Sequence, residues 1–255
     1  DVRLDWVSAL LCMATLGVFI SGIDMMGQDL LRGIGLVAIS VVAGMVLVRR
    51  ASRQPAPLVP VDLLRIRQLA FAVGASACTF AAQMASYVSL PFYFQQVLGR
   101  PYLEVGLLMG AWPVGTALIA PVAGRLSDRY SAATLSGVGA TGMVIGMLWL
   151  AVLPASVGNV PIIAGMFVAG VGFGFFQTPN NRAMLSAAPR ARSGAAGGLQ
   201  ATTRVFGQSF GTALVAIAFS VSAAHGPGLA LVLGTICAAL AVVVNTVRFN
   251  KLRVI

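Results

Sequence analysis

The chain has 255 residues, of which 58% are hydrophobic and 9% charged, with a mean hydropathy of +0.90 and a formal net charge of +10. Soluble domains carry about 25% charged residues, and 17 Lys and Arg with 7 Asp and Glu cannot furnish a water-exposed surface. A soluble fold is excluded. So is a nucleic-acid binder, which gathers its cations on one polar face, because here they sit in short gaps between long apolar runs.

A bilayer-crossing helix needs about 20 mostly apolar residues. Eight runs meet or approach that length, at 6–23, 33–48, 69–90, 105–124, 132–155, 160–176, 201–224 and 228–247. The second is short, but Arg32 and Arg49 at its ends can snorkel to both interfaces. The expected architecture is therefore an all-α integral membrane protein with eight transmembrane helices. A pair of helices over 1–48 is followed by a linker over 49–68 that contains Pro55, Pro57 and Pro60. The linker ends with alternating apolar and basic residues from Val61 to Arg67, a pattern that suits the inner leaflet surface. A six-helix unit then fills 69–255. Between the sixth and seventh of the eight runs, Thr178-Pro179-Asn180-Asn181-Arg182 and Pro189-Arg190-Ala191-Arg192 read as a polar, basic loop.

The gaps carry the orientation. Fourteen of the seventeen cations fall in one alternating set of gaps, only Arg32 and Arg100 in the other, and Arg204 alone lies inside a run. The positive-inside rule puts the fourteen, and with them both ends of the chain, in the cytoplasm. Cys12, Cys78 and Cys237 all lie in apolar runs, and their odd number leaves no complete disulfide set. One His and three scattered Cys supply no catalytic or metal-binding cluster, so neither an enzyme nor a metal site is expected. The only Lys is Lys251, which argues against a phosphate-cradling ATP site. The chain opens on Asp1 rather than Met, which suggests a piece of something longer.

Four features carry the chemistry. The first is Gly124-Arg125-Leu126-Ser127-Asp128-Arg129, between the fourth and fifth runs. A carboxylate flanked by arginines at a helix end can pair with helix termini and neighbouring cations, and so latch one arrangement of helices. Gly124 would let backbones approach closely at the turn, although ordinary loop charge has the same look. The second is the spacing of Gly170 and Gly174, and of Gly207 and Gly211, which permits close helix crossings. The third is Phe80, Gln83 and Tyr87, successive turns on one helix face. An amide between aromatic rings can hold a flat organic cation, with cation–π contact worth roughly 0.5–2 kcal/mol. The fourth is Arg204. A cation near mid-span costs about 2.5–3.5 kcal/mol on insertion scales, so it should face protein or water, either snorkelling to the inner mouth or paired with an acid elsewhere in the protein. Trp112-Pro113 reads as a kink.

The Gly124–Arg129 loop resembles the cytoplasmic signature of the major facilitator superfamily. Further stretches narrow the likeness: 90–99 (Leu-Pro-Phe-Tyr-Phe-Gln-Gln-Val-Leu-Gly), 104–108, 172–182, 192–198 and 204–208. Together they are similar to the fourteen-span drug/proton antiporters of the quaternary-ammonium and methyl-viologen efflux type. The resemblance implies that 69–255 is a C-terminal six-helix half built from two inverted triplets, that the first two helices are an insertion between halves, and that an N-terminal half is missing. It also implies that the third and sixth runs line a central cavity, which adds Phe173, Phe176 and Gln177 to Phe80, Gln83 and Tyr87. The implied function is proton-coupled efflux of hydrophobic or cationic compounds across the cell's inner membrane, and the alternative is a uniporter or metabolite exporter of the same superfamily. The implied partners are small organic substrates, protons, the lipid bilayer and the missing half, with no cofactor beyond the proton gradient. No run from the third onward holds an acid, so any proton carrier should lie in the missing half.

Overall fold

The computed structural model describes residues 6–26, 29–51, 61–154, 156–222 and 225–253. Among them no strand forms. The helices are α1 (Trp6–Met26), α2 (Leu30–Ala51), α3 (Arg67–Phe92), α4 (Tyr102–Met109), α5 (Ala111–Leu126), α6 (Ala132–Ala151), α7 (Asn159–Ala187), α8 (Ser193–Val221) and α9 (Gly226–Arg253). Among the described residues seven helical stretches are long and apolar enough to cross a membrane. The 21-residue α1 supplies the eighth helix expected from the runs. α4 and α5 form one such stretch, broken at Gly110. Pro113 has no N–H to donate back to Met109, which explains a break at that level. Pro91 acts similarly at the end of α3, where Tyr93–Val97 winds into a wider π-turn. Gly99 then reverses the chain at φ +65°, a conformation that favours glycine.

Several helices outrun their apolar stretches. α7 continues through Pro179 to Ala187, so Thr178–Arg182 is helical rather than loop, and the α7–α8 connection shrinks to 188–192. Both α7 and α8 have 29 residues, roughly 44 Å at 1.5 Å per residue, against a hydrocarbon thickness of about 30 Å. Their polar ends therefore project beyond the apolar layer. α9 likewise runs on to Arg253 and carries Arg248 and Lys251 on a helix rather than in a tail. Glu104, assigned to a gap, falls in the first turn of α4.

In the linker, Pro55, Pro57 and Pro60 lie outside the described residues. Val61–Arg65 forms a short 3-10 turn whose Leu63 is 3% exposed, in a cluster with Leu69, Met184, Ala188 and Leu199. This turn is pinned beneath α3, α7 and α8, because burying Leu63 against apolar side chains is favourable.

The helix pairings show an internal exchange. α3 packs on α8 and α9, while α7 packs on α5 and α6. Swapping the triplet α3, α4/α5, α6 with the triplet α7, α8, α9 converts one set of pairings into the other, as an inverted repeat requires. Small residues make the crossings possible. A Cβ on Gly207 would sit 2.6 Å from the Ala77 carbonyl oxygen, and Gly211 abuts Ala81 in the same α8–α3 crossing. Gly170 meets Trp112, and a Cβ on Gly174 would sit 2.8 Å from the Thr116 carbonyl oxygen, in the α7–α5 crossing. α1 and α2 form a hairpin tied by the Ser40 hydroxyl, which donates to the Thr15 carbonyl at 2.8 Å. The hairpin touches α8 through the rings of Phe19 and Phe206, 6.0 Å apart. Outward-facing Val42, Leu118, Ile145 and Val243 are all more than half exposed, an apolar surface suited to lipid.

Candidate functional site

One face of α3, α7 and α8 gathers most of the expected cavity residues. Phe80 of α3 meets Phe173 of α7 edge to face, with ring centroids 5.6 Å apart. Two turns along α3, Tyr87 packs edge-on against Trp112 of α5 at 5.3 Å, and Trp112 approaches Phe173 at 6.5 Å. Gln83 lies one turn before Tyr87 on the same face of α3. The rings form a contiguous aromatic cluster, buried at Phe80, Phe173 and Trp112 and half-buried at Tyr87. Phe176 does not join it. That ring is fully buried with Ala75, Ala140 and Ala241, on the side of α7 turned towards α6 and α9.

Beside the cluster a polar pocket opens, lined by Phe80, Gln177, Asn181, Gly197, Gln200 and Arg204. Its volume is about 110 Å³, enough for a small polar group but not a whole drug. Arg204 stands on α8 roughly 17 Å from Ser193 along the helix axis, and it is exposed on this face. Gln200 and Gln208, one turn to either side, complete a polar stripe on α8. Gln177 and Asn181, also one turn apart, form its counterpart on α7. Gln200 and Asn181 were not singled out from the sequence, although an amide four residues from a lone intramembrane arginine was a usable signal.

The basic end of the bundle holds a second set of contacts. Asp128 does not pair with its flanking arginines. Its partner is Arg182 of α7, which donates to Oδ1 at 2.6 Å. Arg129 is exposed and makes no ion pair with a described residue. Gly124 has room to spare, because a Cβ there would find its nearest neighbour, Thr178 Cγ2, at 4.0 Å. The close approach expected at Gly124 therefore does not occur. Ser131 accepts from the Thr134 N–H at 3.1 Å and caps α6, which ends the signature turn. Arg192 grips Asp62 with both terminal nitrogens, tying the 3-10 turn to the α7–α8 connection. At the opposite end, Arg100 bridges Glu104 at 3.2 Å and the Val157 carbonyl.

Comparison with known proteins fits this architecture. Residues 6–212 match the family model described as Major Facilitator Superfamily. The chain is 41% identical over 253 residues to the uncharacterized transporter YebQ of Escherichia coli strain K12, covering 98% of this chain and 55% of that protein. It is 33% identical over 165 residues to the riboflavin transporter RibZ of Clostridioides difficile, covering 64% and 36%. With the multidrug efflux pump LfrA of Mycolicibacterium smegmatis it shares 25% identity over 183 residues, covering 72% and 36%. The chain spans about half the length of YebQ and about a third of the other two. An all-helical, membrane-spanning bundle with this pairing pattern and this family match places the chain in the Major Facilitator Superfamily of transporters.

Proposed function

We propose that this chain supplies one half of the transport path of a proton-coupled exporter of hydrophobic organic compounds. The face of α3, α7 and α8 turns towards a second six-helix half, and the basic end lies in the cytoplasm of a cell whose inner membrane holds the protein. The carrying observation is the polar pocket that Gln177, Asn181, Gln200 and Arg204 line on the α7–α8 face, backed by the buried aromatic cluster of Phe80, Phe173, Trp112 and Tyr87. Arg204 is exposed in that pocket, and a charge within an apolar span is costly unless it faces water, a headgroup or a partner. LfrA, a multidrug efflux pump, supports the same reading. For cationic compounds the face offers no carboxylate among its described residues, so a cation would have to be held, and its proton exchanged, by the other half. The name of RibZ favours a second reading, a transporter of one flat polar metabolite.

The test uses everted membrane vesicles carrying the full-length protein and the neutral dye N-phenyl-1-naphthylamine. Respiration should drive dye into the vesicles, and a protonophore should abolish the uptake. Uptake that survives the protonophore would point to uniport. Uptake no greater than in vesicles without the protein would remove the export reading. The orientation has its own check: an impermeant thiol reagent should fail to reach Ser193→Cys in intact cells, and labelling from outside would overturn it.

A further inference from the structure

We infer that the pocket around Arg204 binds the anionic group of its substrate, so that the transported class is organic acids or their sulfonate or phosphate equivalents. This rests on the proposal that the α3–α7–α8 face lines the transport path. Four carboxylates have described side chains, and each is already paired with an arginine: Asp29 with Arg32, Asp62 with Arg192, Glu104 with Arg100 and Asp128 with Arg182. All four lie at the ends of the bundle, and none lines the pocket. Arg204 therefore presents a fixed positive charge three residues into its apolar run with no ion pair to a described residue.

Its neighbours suit an oxyanion. The amides of Gln177 and Gln200 border the same pocket without a hydrogen bond to another described residue, so their N–H groups are free to donate. A guanidinium offers a planar fork of donors that matches the paired oxygens of a carboxylate, sulfonate or phosphate. The Oδ1 atom of Asn181 is buried without a partner, and it is an acceptor. A ligand that presents an oxyanion beside an N–H or O–H would satisfy both sets. Phe80, also on the lining, is 3% exposed and forms the apolar floor of the pocket, with the buried ring of Phe173 edge-on against it. At about 110 Å³ the pocket admits the charged group and leaves the rest of the ligand outside it. A cation placed here would meet like charge with no compensating acid.

The competing source of an oxyanion is an acidic side chain of the second half, and a matched pair of probes separates the two. 8-Anilino-1-naphthalenesulfonate is N-phenyl-1-naphthylamine with a sulfonate added beside its N–H. Equilibrium dialysis of both dyes against purified full-length protein, with a detergent blank, gives their affinity ratio. The wild type should prefer the sulfonate at least tenfold. Arg204→Gln should cut that preference about tenfold, and Arg204→Lys should keep part of it. A wild type that binds the sulfonate no better than its parent overturns the inference, as does a preference unchanged in Arg204→Gln. An acid partner in the second half would instead appear as no sulfonate preference together with a lowered melting temperature for Arg204→Gln. If vesicles export the neutral dye while the sulfonate shows no preference, only the anion site falls. If sulfonate binding depends on Arg204 but no dye is exported, only the export reading falls.

Discussion

Arg248, near the end of α9, is 1% exposed and donates a 3.0 Å hydrogen bond to Oδ1 of Asn180 on α7. The Asn180 amide nitrogen in turn donates to the Ala72 carbonyl of α3, also at 3.0 Å. One buried amide thus joins three helices at the basic end, with a guanidinium as its donor rather than a carboxylate as its partner. Arg248 Nε has no partner, so the Asn180 bond is the side-chain contact that offsets burial of this charge.

The two ends of that bond should not be equivalent. Asn180→Ala leaves a buried guanidinium without its acceptor, and hydrogen bonds to charged groups are worth about 1.5–3 kcal/mol. Arg248→Met removes the charge and fills similar volume, leaving only a neutral amide that keeps its bond to Ala72. The Asn180 variant of the full-length protein should therefore melt lower than the Arg248 variant. Thermal melts in detergent would check the order, and an Arg248→Met protein less stable than Asn180→Ala would refute the account.

A second contrast concerns glycine. Gly211 is pressed against Ala81 of α3, whereas a Cβ on Gly198, an exposed position of the same helix, would find nothing within 4 Å. Overpacking typically costs about 1–3 kcal/mol, while Gly to Ala in an open helix position gains up to about 1 kcal/mol. Gly211→Ala should lower the melting temperature, and Gly198→Ala should hold or raise it. Equal effects would mean that the α8–α3 crossing is looser than described.

These contrasts show what the amino-acid order can and cannot disclose. The spans and the glycine spacings are visible because apolarity and small size are properties of single residues. Which helix each glycine meets is not visible, since that depends on the whole pairing pattern. Arg248 escaped notice because it follows the last apolar run by one residue, where a cation ordinarily marks a loop. Phe173 and Phe176 differ by less than one turn, yet one joins the aromatic cluster and the other the α3–α6–α9 core. Only the neighbours decide between them. Asp128 was recognisable as a candidate latch residue, but its partner Arg182, 54 positions on, lay in what looked like loop.

The Asp128–Arg182 pair leads to the remaining prediction. Both side chains are more than half exposed, at 62% and 57%, and exposed pairs contribute only about 0–1 kcal/mol to stability. The contact is therefore too weak to hold the bundle together. It joins the α5–α6 turn to the projecting end of α7, two elements that must move relative to each other if the basic end opens and closes. A weak, well-aligned bond suits a latch that is broken in every cycle. Asp128→Asn and Arg182→Gln should each leave membrane insertion and melting near wild type while cutting efflux of N-phenyl-1-naphthylamine several-fold. The exchange of charges, Asp128→Arg with Arg182→Asp, should recover part of the lost rate, since the attraction survives with its sign reversed across the gap. Wild-type efflux by a normally expressed Asp128→Asn protein would sink the latch. A melting temperature that falls in step with efflux would make the pair a structural brace instead.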